Sequence, residues 1–416
     1  MAIQDIYNQK KDHFLFHDSM QYTNLRKDLL TKFDLSLKNK RNNENLKHLD
    51  PHIFELSYKY KKVTNNINYV NHKENIIIIN VIDGKISRID NNEINKFNIS
   101  INNIDNNNTL IHDKFLFFQK YFKEDYILNL NSLMLNSGYE INIGDDQEIN
   151  IFIYNSISDK DLTIFQKNII TCGKNSKVKI FEEYLSDNPS NNNVVNLIDL
   201  LEGAEVKHFI FQKNKKKANL QSTSYTNCQK DTKYRQLTIN IAHSSIRNHH
   251  YANILGEGTS VDLDGIFFAA ANQIIDNKTQ VNHNFPNCIS AQRYKGILTD
   301  QARASYLSKT FVDKIAQKTE AYQLSKGVLL SDQSTFHSKP ELKIFADDVK
   351  CSHGSTIGPI DKDLLFYLRS RGLSKKNSLS LLIKSFFHDI ISDIKDKSFV
   401  EKFNYHSNIW LKENNI

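Results

Sequence analysis

Residues 173–211 read GKNSKVKIFEEYLSDNPSNNNVVNLIDLLEGAEVKHFIF, a stretch that begins and ends with the same short motif. In both copies, GKNSKVKIF and GAEVKHFIF, a glycine is followed by polar residues and then by alternating apolar and polar positions. Weaker copies begin at Gly138 (GYEINI) and at Gly258 (GTSVDLDGIFF). Because alternating polarity is typical of half-buried strands, the recurrence predicts several short strands built in the same way.

The spacing of the copies predicts how these strands are arranged. Val178 and Val206 are 28 residues apart, and Val206 and Val261 are 55 apart, which is close to one and two units of a single repeat. One unit has too few apolar residues to form a core alone, but stacked units bury them in a continuous interior. We therefore expect a mainly β fold with a right-handed parallel β-helix (solenoid) core. A β-sandwich also uses short strands, but its hairpin turns at intervals of about 8–12 residues are mostly missing.

Helical regions are predicted on both sides of this core. Apolar residues at helical spacing predict an amphipathic start before about residue 37, and the aromatic residues of 115–122 predict a further helix. Between them, IIIINVIDGKISRI places Asp83 and Gly84 between two β-branched runs, which is typical of a tight hairpin. The predicted domains are an N-terminal helical region with a small hairpin (1–124), the β-helix core (125–359) and a C-terminal helical domain (360–416).

The last predicted strand leads into the sequence Cys351-Ser352-His353-Gly354, which we interpret as a turn. Residues two apart in an extended backbone point to the same face, so the Cys351 thiol and the His353 imidazole can converge. Thiolate and imidazole are ligands of iron–sulfur centres and soft metals. Two ligands cannot close a four-coordinate site, so further ligands have to come from elsewhere. The alternative for this short motif is a buried thiol beside a hydrogen-bonded histidine.

Two further helices follow the Cys-His motif. Asp361 can cap the first and Gly372 can end it, while Ser374 can cap the second. The second helix is apolar over a wider face than one packing contact requires, so it either caps the solenoid or contacts another protein.

Composition excludes several classes of function. The chain has 416 residues, 39% hydrophobic and 24% charged, and its net charge of +7 comes from lysines mixed with acidic residues. Nucleic-acid binding is not expected, because no basic stripe interleaves with aromatic residues. No apolar run approaches the ~20 residues that span a bilayer, so no membrane contact is expected. The first sixteen residues lack the apolar core of a signal peptide, and a cytoplasmic protein is the simplest interpretation.

The cysteines and motifs narrow the chemistry further. Four cysteines stand far apart, which is typical of a reducing compartment, and we expect Cys172, Cys228 and Cys288 to be core residues. No G-x-x-x-x-G-K-[ST] phosphate loop is present, so we expect no nucleotide to be bound by this chain. A β-helix lyase or hydrolase acting on carbohydrate is the alternative function. It would need two facing carboxylates, whereas Asp262 and Asp264 stand among glycines and resemble turn formers.

Four longer segments carry a resemblance to a known family. They are AQKTEAYQ (316–323), DNKTQVNHNFPNCISAQRYKGIL (276–298), ADDVKCSHG (346–354) and LLFYLRSRGL (364–373). Together they resemble the SufB/SufD family of iron–sulfur cluster assembly proteins. The resemblance is dense from about Arg247 to Leu373, and the length and sparse cysteines are more like the SufD branch.

The resemblance implies a β-helix between helical domains and a non-catalytic scaffold subunit. It implies pairing with a SufB-like chain, binding of a SufC-like ATPase that supplies the energy, and iron or a cluster held transiently between the two scaffold chains. Cys351 and His353 are then candidate ligands at the partner interface. The C-terminal helices would dock the ATPase, and the candidate docking residues are Leu364, Leu365, Phe366, Phe386, Phe387 and Ile390.

Overall fold

The computed structural model describes residues 14–15, 23–24, 27–28, 30, 68–70, 76–90, 96–105, 125–213, 217–241, 245–394 and 396–416. The predicted amphipathic start lies almost entirely outside these residues, and the helix predicted at 115–122 lies wholly outside them. Both helices therefore stay predictions, and so does the division into three domains.

The strands of the described residues form two sheets. The first contains β1 (Asn68–Val70), β2 (Ile76–Ile82), β3 (Lys85–Asp90), β6 (Glu148–Ser156), β8 (Lys177–Tyr184), β10 (Glu205–Gln212), β12 (Lys233–Asn240), β14 (Ser260–Ala269), β16 (Ile289–Leu298), β18 (Thr319–Leu329) and β20 (Val349–Pro359). The second contains β4 (Ile99–Asn103), β5 (Ser137–Ile143), β7 (Leu162–Cys172), β9 (Ser190–Leu200), β11 (Ala218–Cys228), β13 (Ile246–Ile254), β15 (Ile274–His283), β17 (Arg303–Val312) and β19 (Thr335–Ile344).

The chain alternates between the two sheets from β5 to β20, and each strand pairs in parallel with the strand two places further on. This arrangement is a parallel β-solenoid, as the repeat predicts. The predicted register is also confirmed, since Val206 pairs with Val178 on one side and with Tyr234 on the other, and Tyr234 pairs with Val261. Val178, Val206 and Val261 are buried in one interior cluster, so the alternating apolar residues of separate units do share one core.

The turn after each second-sheet strand is the reason for the recurring Gly, Asn and Asp. One residue in each such turn has a positive φ, and successive examples are Asp146, Asn175, Gly203, Asp231, Gly258, Asn287 and Lys318. Gly, Asn and Asp tolerate this left-handed conformation better than other residues do. At Gly173, Gly203 and Gly258 the glycine-led motif therefore marks this backbone turn, whereas the weaker copy at Gly138 lies within β5. Lys318 is the turn residue for which the conformation costs most.

The Asp83–Gly84 hairpin is confirmed. β2 and β3 pair antiparallel, and both turn residues have positive φ, 53° and 78°. β2 also pairs in parallel with β6, so the hairpin extends the first sheet.

Four helices are described in full: α1 (Tyr126–Leu133), α2 (Lys362–Ser370), α3 (Lys375–Ser392) and α4 (Lys397–Glu413). Asp361 and Ser374 cap α2 and α3 as predicted, and Gly372 follows α2 with a φ of 91°. α3 and α4 lie on the outer face of the first sheet, where Phe268 contacts the rings of Phe387, Phe403 and Trp410. The apolar C-terminal helices therefore cover a sheet face rather than the end of the stack.

Replacing Lys318 by glycine should stabilise the protein. Lys318 is exposed and has a φ of 57°, so its side chain contributes strain and little packing. We expect the free energy of unfolding to rise by about 0.5–1 kcal/mol, measured by thermal or urea denaturation. The control is Lys314→Gly, at an exposed lysine of the same turn that has no positive φ. Equal or lower stability of Lys318→Gly relative to this control would contradict the prediction.

Candidate functional site

Cys351 and His353 lie within β20, the last strand of the first sheet. The predicted turn at 351–354 is therefore wrong, because the extended strand continues to Pro359. The correction still allows the Cys351 and His353 side chains to point the same way, since residues two apart on a strand share a face. β18 pairs with β20 so that Ala321 lies beside Cys351 and Gln323 beside His353.

The two candidate ligands differ in exposure. Cys351 is half-buried and packs with Val349 against the cluster of Val312, Ala316 and Ala346 at the end of the solenoid. His353 is exposed. Burial raises the pKa of the Cys351 thiol, although a main-chain hydrogen bond involving Ala321 acts in the opposite direction. The thiol is therefore neutral before a metal binds, and ligation has to release its proton.

The pair is incomplete within this part of the chain. The residues described contain no group of three or more His, Cys, Asp or Glu side chains that could hold a metal ion. A cluster bound here would take its remaining ligands from its own sulfides or from another chain. Thiolate and imidazole fit an iron–sulfur cluster chemically, but two side chains do not enclose one.

The other cysteines are core residues, as predicted. Cys172, Cys228 and Cys288 are buried in the solenoid interior. Burial raises the pKa of the Cys172 and Cys228 thiols to about 12. Because the thiolate is the reactive and metal-binding form, neither is a ligand near neutral pH.

The two carboxylates weighed for carbohydrate chemistry are not turn formers, because both lie within β14. Asp264 is buried and accepts hydrogen bonds from Arg293 Nε at 2.8 Å and from Arg235 Nη2 at 3.3 Å. Both oxygens of this carboxylate are thus engaged by guanidinium groups and are not directed at a sugar. The pKa of Asp262 is raised by burial and by neighbouring Asp264.

The candidate docking residues fall into two groups. Leu364 and Phe366 on α2 are 50% and 73% exposed, and Leu365 is half-buried. In contrast, Phe387 and Ile390 on α3 are buried in the cluster under the helices, and Phe386 packs against it. Any contribution of Phe387 and Ile390 to docking has to act through the position of α3 and not through direct contact.

A groove of about 480 Å³ lies between α2, α3 and the ends of β18 and β20. Its lining includes Leu364 from α2, Phe386 from α3 and Pro359 from β20. The exposed face of α2 adjoins this groove. The six docking residues predicted from the sequence are therefore not equivalent, because some lie on this exposed surface and others are buried beneath α3.

Sequence reasoning missed the buried ionic groups. His249 Nε2 lies 2.8 Å from Asp276 Oδ2, and Arg247 Nη2 donates to Asp125, the capping residue of α1. Burial lowers the pKa of His249 to about 4, with the Arg247 charge acting in the same direction. The partners are separated by 27 and 122 residues in sequence, so no local spacing could have indicated them.

Comparison with known proteins gives the family. A family model described as "SUF system FeS cluster assembly, SufBD core domain" matches residues 152–386, which is more than half of the chain and includes β20. The chain belongs to the SufBD family. Its members are iron–sulfur cluster assembly proteins by that description.

Individual relatives agree with the SufD-like resemblance. The chain is 29% identical over 290 residues to a SufBD family protein of Synechocystis, covering 66% of this chain and 64% of that one. It is 31% identical over 157 residues to the iron–sulfur cluster assembly protein SufD of Escherichia coli, covering 38% and 37%. It is 26% identical over 250 residues to SufD of Plasmodium falciparum, covering 59% and 17%. The chain thus spans less than two thirds of the length of these relatives.

Among the helices of the described residues, none is long and apolar enough to cross a membrane. A relative from Arabidopsis thaliana, 27% identical over 204 residues and covering 49% of this chain and 43% of that one, is named as chloroplastic.

Thiol labelling should separate Cys351 from the other cysteines. In the native chain we expect one thiol to react with iodoacetamide, because only Cys351 is not buried. Its raised pKa leaves less thiolate at a given pH. The pH at which the labelling rate is half-maximal should therefore lie above the ordinary thiol pKa of about 8.5. Mass spectrometry after labelling across pH 6–10 gives both the site and the rate.

Cys351→Ser is the control for this experiment and should abolish native labelling. Labelling of a buried cysteine in the folded chain, or a midpoint at or below the ordinary value, would contradict the burial described here.

Proposed function

We propose that this chain is a SufD-like, non-catalytic subunit of an iron–sulfur cluster assembly scaffold. It pairs with a SufB-like chain, binds a SufC-like ATPase and contributes to iron acquisition and de novo cluster assembly at the interface of the two scaffold chains. The cluster is the cargo of the complex and is held only transiently. The observation that carries the proposal is the incomplete Cys351–His353 pair on the terminal strand of a SufBD core.

The open end of the solenoid supports pairing with a second scaffold chain. β19 and β20 are the terminal strands at one end of the two sheets in the described residues, so one edge of each has no strand beside it there. Such an edge is a template for a strand of another protein. Ile315, Ile344 and Phe345 are exposed at the same end, and a partner there would remove them from water.

The position of the ligand pair supports assembly at that interface. Because β20 is the edge strand, a chain added to it would lie next to Cys351 and His353. The partner could then supply the ligands that the described residues do not provide. The four separate cysteines fit a reducing compartment, and we propose the cytoplasm as the location.

The exposed face of α2 supports docking of the ATPase. A helix of nine residues without a buried side chain, carrying Leu364, Phe366 and Tyr367, is unusual unless a partner covers it. The adjoining groove adds apolar surface from α3 and β18. Since the sequence contains no phosphate loop, nucleotide binding and hydrolysis belong to this partner.

Co-purification tests the assembly role. The chain is co-expressed with SufB-like and SufC-like partners and purified without oxygen, and iron and acid-labile sulfide are measured per complex. His353→Ala should leave the complex intact and reduce bound iron by at least about tenfold, since loss of a ligand costs no less than loss of an outer-shell partner. The matched control is His337→Ala, which removes an exposed histidine from β19, the last strand of the other sheet. No complex with the partners, or equal iron in the two variants, would overturn the proposal.

Docking is tested by Phe366→Ser. Because Phe366 is exposed, the melting temperature should not change, while affinity for the ATPase should fall by about thirtyfold, equivalent to about 2 kcal/mol for an aromatic anchor. Tyr405→Ser is the control, since Tyr405 is also a largely exposed aromatic residue, lies on α4 and does not line the groove. Calorimetry or surface binding with the purified ATPase gives both affinities.

Phe387→Ala distinguishes structure from contact. Its ring is buried, so we expect a loss of about 3–5 kcal/mol in the free energy of unfolding.

Equal affinity of Phe366→Ser and Tyr405→Ser for the ATPase would rule out docking on α2.

A further inference from the structure

A second charged cluster lies on the outer face of the first sheet, beneath the C-terminal end of α3. Arg235, Asp264 and Arg293 stand on the neighbouring strands β12, β14 and β16. Asp264 is buried, and Arg293 binds it with two hydrogen bonds of 2.8 and 2.7 Å. The sheet carboxylate thus fixes the direction of the guanidinium group, in a fork that lysine could not reproduce.

Both arginines also reach α3. Arg293 Nη1 and Nη2 each lie 3.2 Å from Asp393 Oδ2. Arg235 Nη1 donates to the main-chain carbonyl of Asp393 at 3.3 Å. Asp393 is the C-terminal capping residue of α3, and positive charge at a helix C-terminus is favourable.

Lys295 makes a separate connection further back along the helix. Its buried Nζ donates to the carbonyl of Phe386 at 2.7 Å and to Asp389 Oδ1 at 2.6 Å. The ammonium also lies 5.0 Å from the centre of the Phe386 ring. Phe386 also lines the groove beside α2. Lys295 therefore connects this groove-lining residue to the first sheet.

These contacts do more than hold the helix on the sheet. The apolar contact already does that, because Phe268 packs against Phe387 of α3 and against Phe403 and Trp410 of α4. Apolar burial is not directional, however, and it permits a helix to slide or rotate, whereas fixed charged hydrogen bonds define one register.

We propose that Lys295 with Asp389, and Arg235, Asp264 and Arg293 with Asp393, form a clamp that fixes the register of α3 and couples the docked ATPase to β20. The connection to the ligand strand is short, because Lys295 pairs with Lys326 of β18 and Lys326 pairs with Thr356 of β20. Thr356 lies on the same strand as Cys351 and His353. This coupling rests on the proposed function, whereas the clamp itself does not.

The first test uses the isolated full-length chain. Hydrogen exchange of residues 386–392 should become faster in Lys295→Met than in the wild type. Asp389→Asn should have the same effect. This variant should fold normally, because Asp389 is half-exposed. The control is Lys233→Met, which removes a 2.7 Å lysine–glutamate pair on the same sheet without touching a helix. Unchanged exchange in both clamp variants would overturn the clamp.

The second test uses the complex with the SufB-like and SufC-like partners. With Lys295→Met, iron and sulfide loading per molecule of bound ATPase should fall about tenfold relative to the wild type, within the usual range of coupling between sites. Loading equal to that of Lys233→Met would overturn the coupling. If the wild-type chain forms no complex, the proposed function and the coupling both fail, and hydrogen exchange still decides whether the clamp exists.

Discussion

The main-chain hydrogen bonds between successive turns are the interaction on which the structure depends. A strand such as β10 has one neighbour a turn earlier and another a turn later, and it satisfies its backbone groups only through both. No turn is therefore stable alone, and the stack has to end at strands that have lost one neighbour. At the C-terminal end of the described stack these strands are β19 and β20, and at the other end they are β1 and β4. The rule that builds the core thus places Cys351 and His353 at an edge.

The two sheet faces are covered by different means. On the first sheet, α3 and α4 bury aromatic rings such as Phe268 and Phe209, and charged contacts fix the helix ends. On the second sheet, Leu128 of α1 is buried in an apolar cluster with strand residues, and polar contacts add to it. Asn131 donates to the carbonyl of Asn193 at 2.9 Å, and Asp125 accepts from Arg247. Apolar burial supplies most of the free energy, while the buried polar contacts allow one arrangement only. Both coverings leave the β20 end accessible.

Much of the fold could be predicted from sequence because its signals are local. The glycine-led motif indicates the turns, and the spacing of Val178 and Val206 gives the length of one turn of the solenoid. Asp361 and Gly372 mark the ends of α2. The strand through Cys351 was misjudged as a turn, because Gly354 suggested a break that the pairing with β18 overrides. Phe387 was predicted as a docking residue because an apolar helix face does not reveal whether its cover lies in the same chain. The contacts of Asp264 with Arg235 and Arg293 join residues that are 29 positions apart, which only the completed stack brings together.

The incompleteness of the Cys351–His353 pair is itself consistent with a scaffold. A closed four-ligand site gains folding energy from its metal and retains it, as structural zinc sites do. A scaffold has to release the cluster that it builds, so a site enclosed by one chain would oppose its function. If the ligands are divided between two chains, a small movement of one edge strand changes the coordination without unfolding either chain. β20 is suited to such a division, because within the described residues it pairs with the solenoid along one side, and it shares its sheet with the strand that carries Lys295.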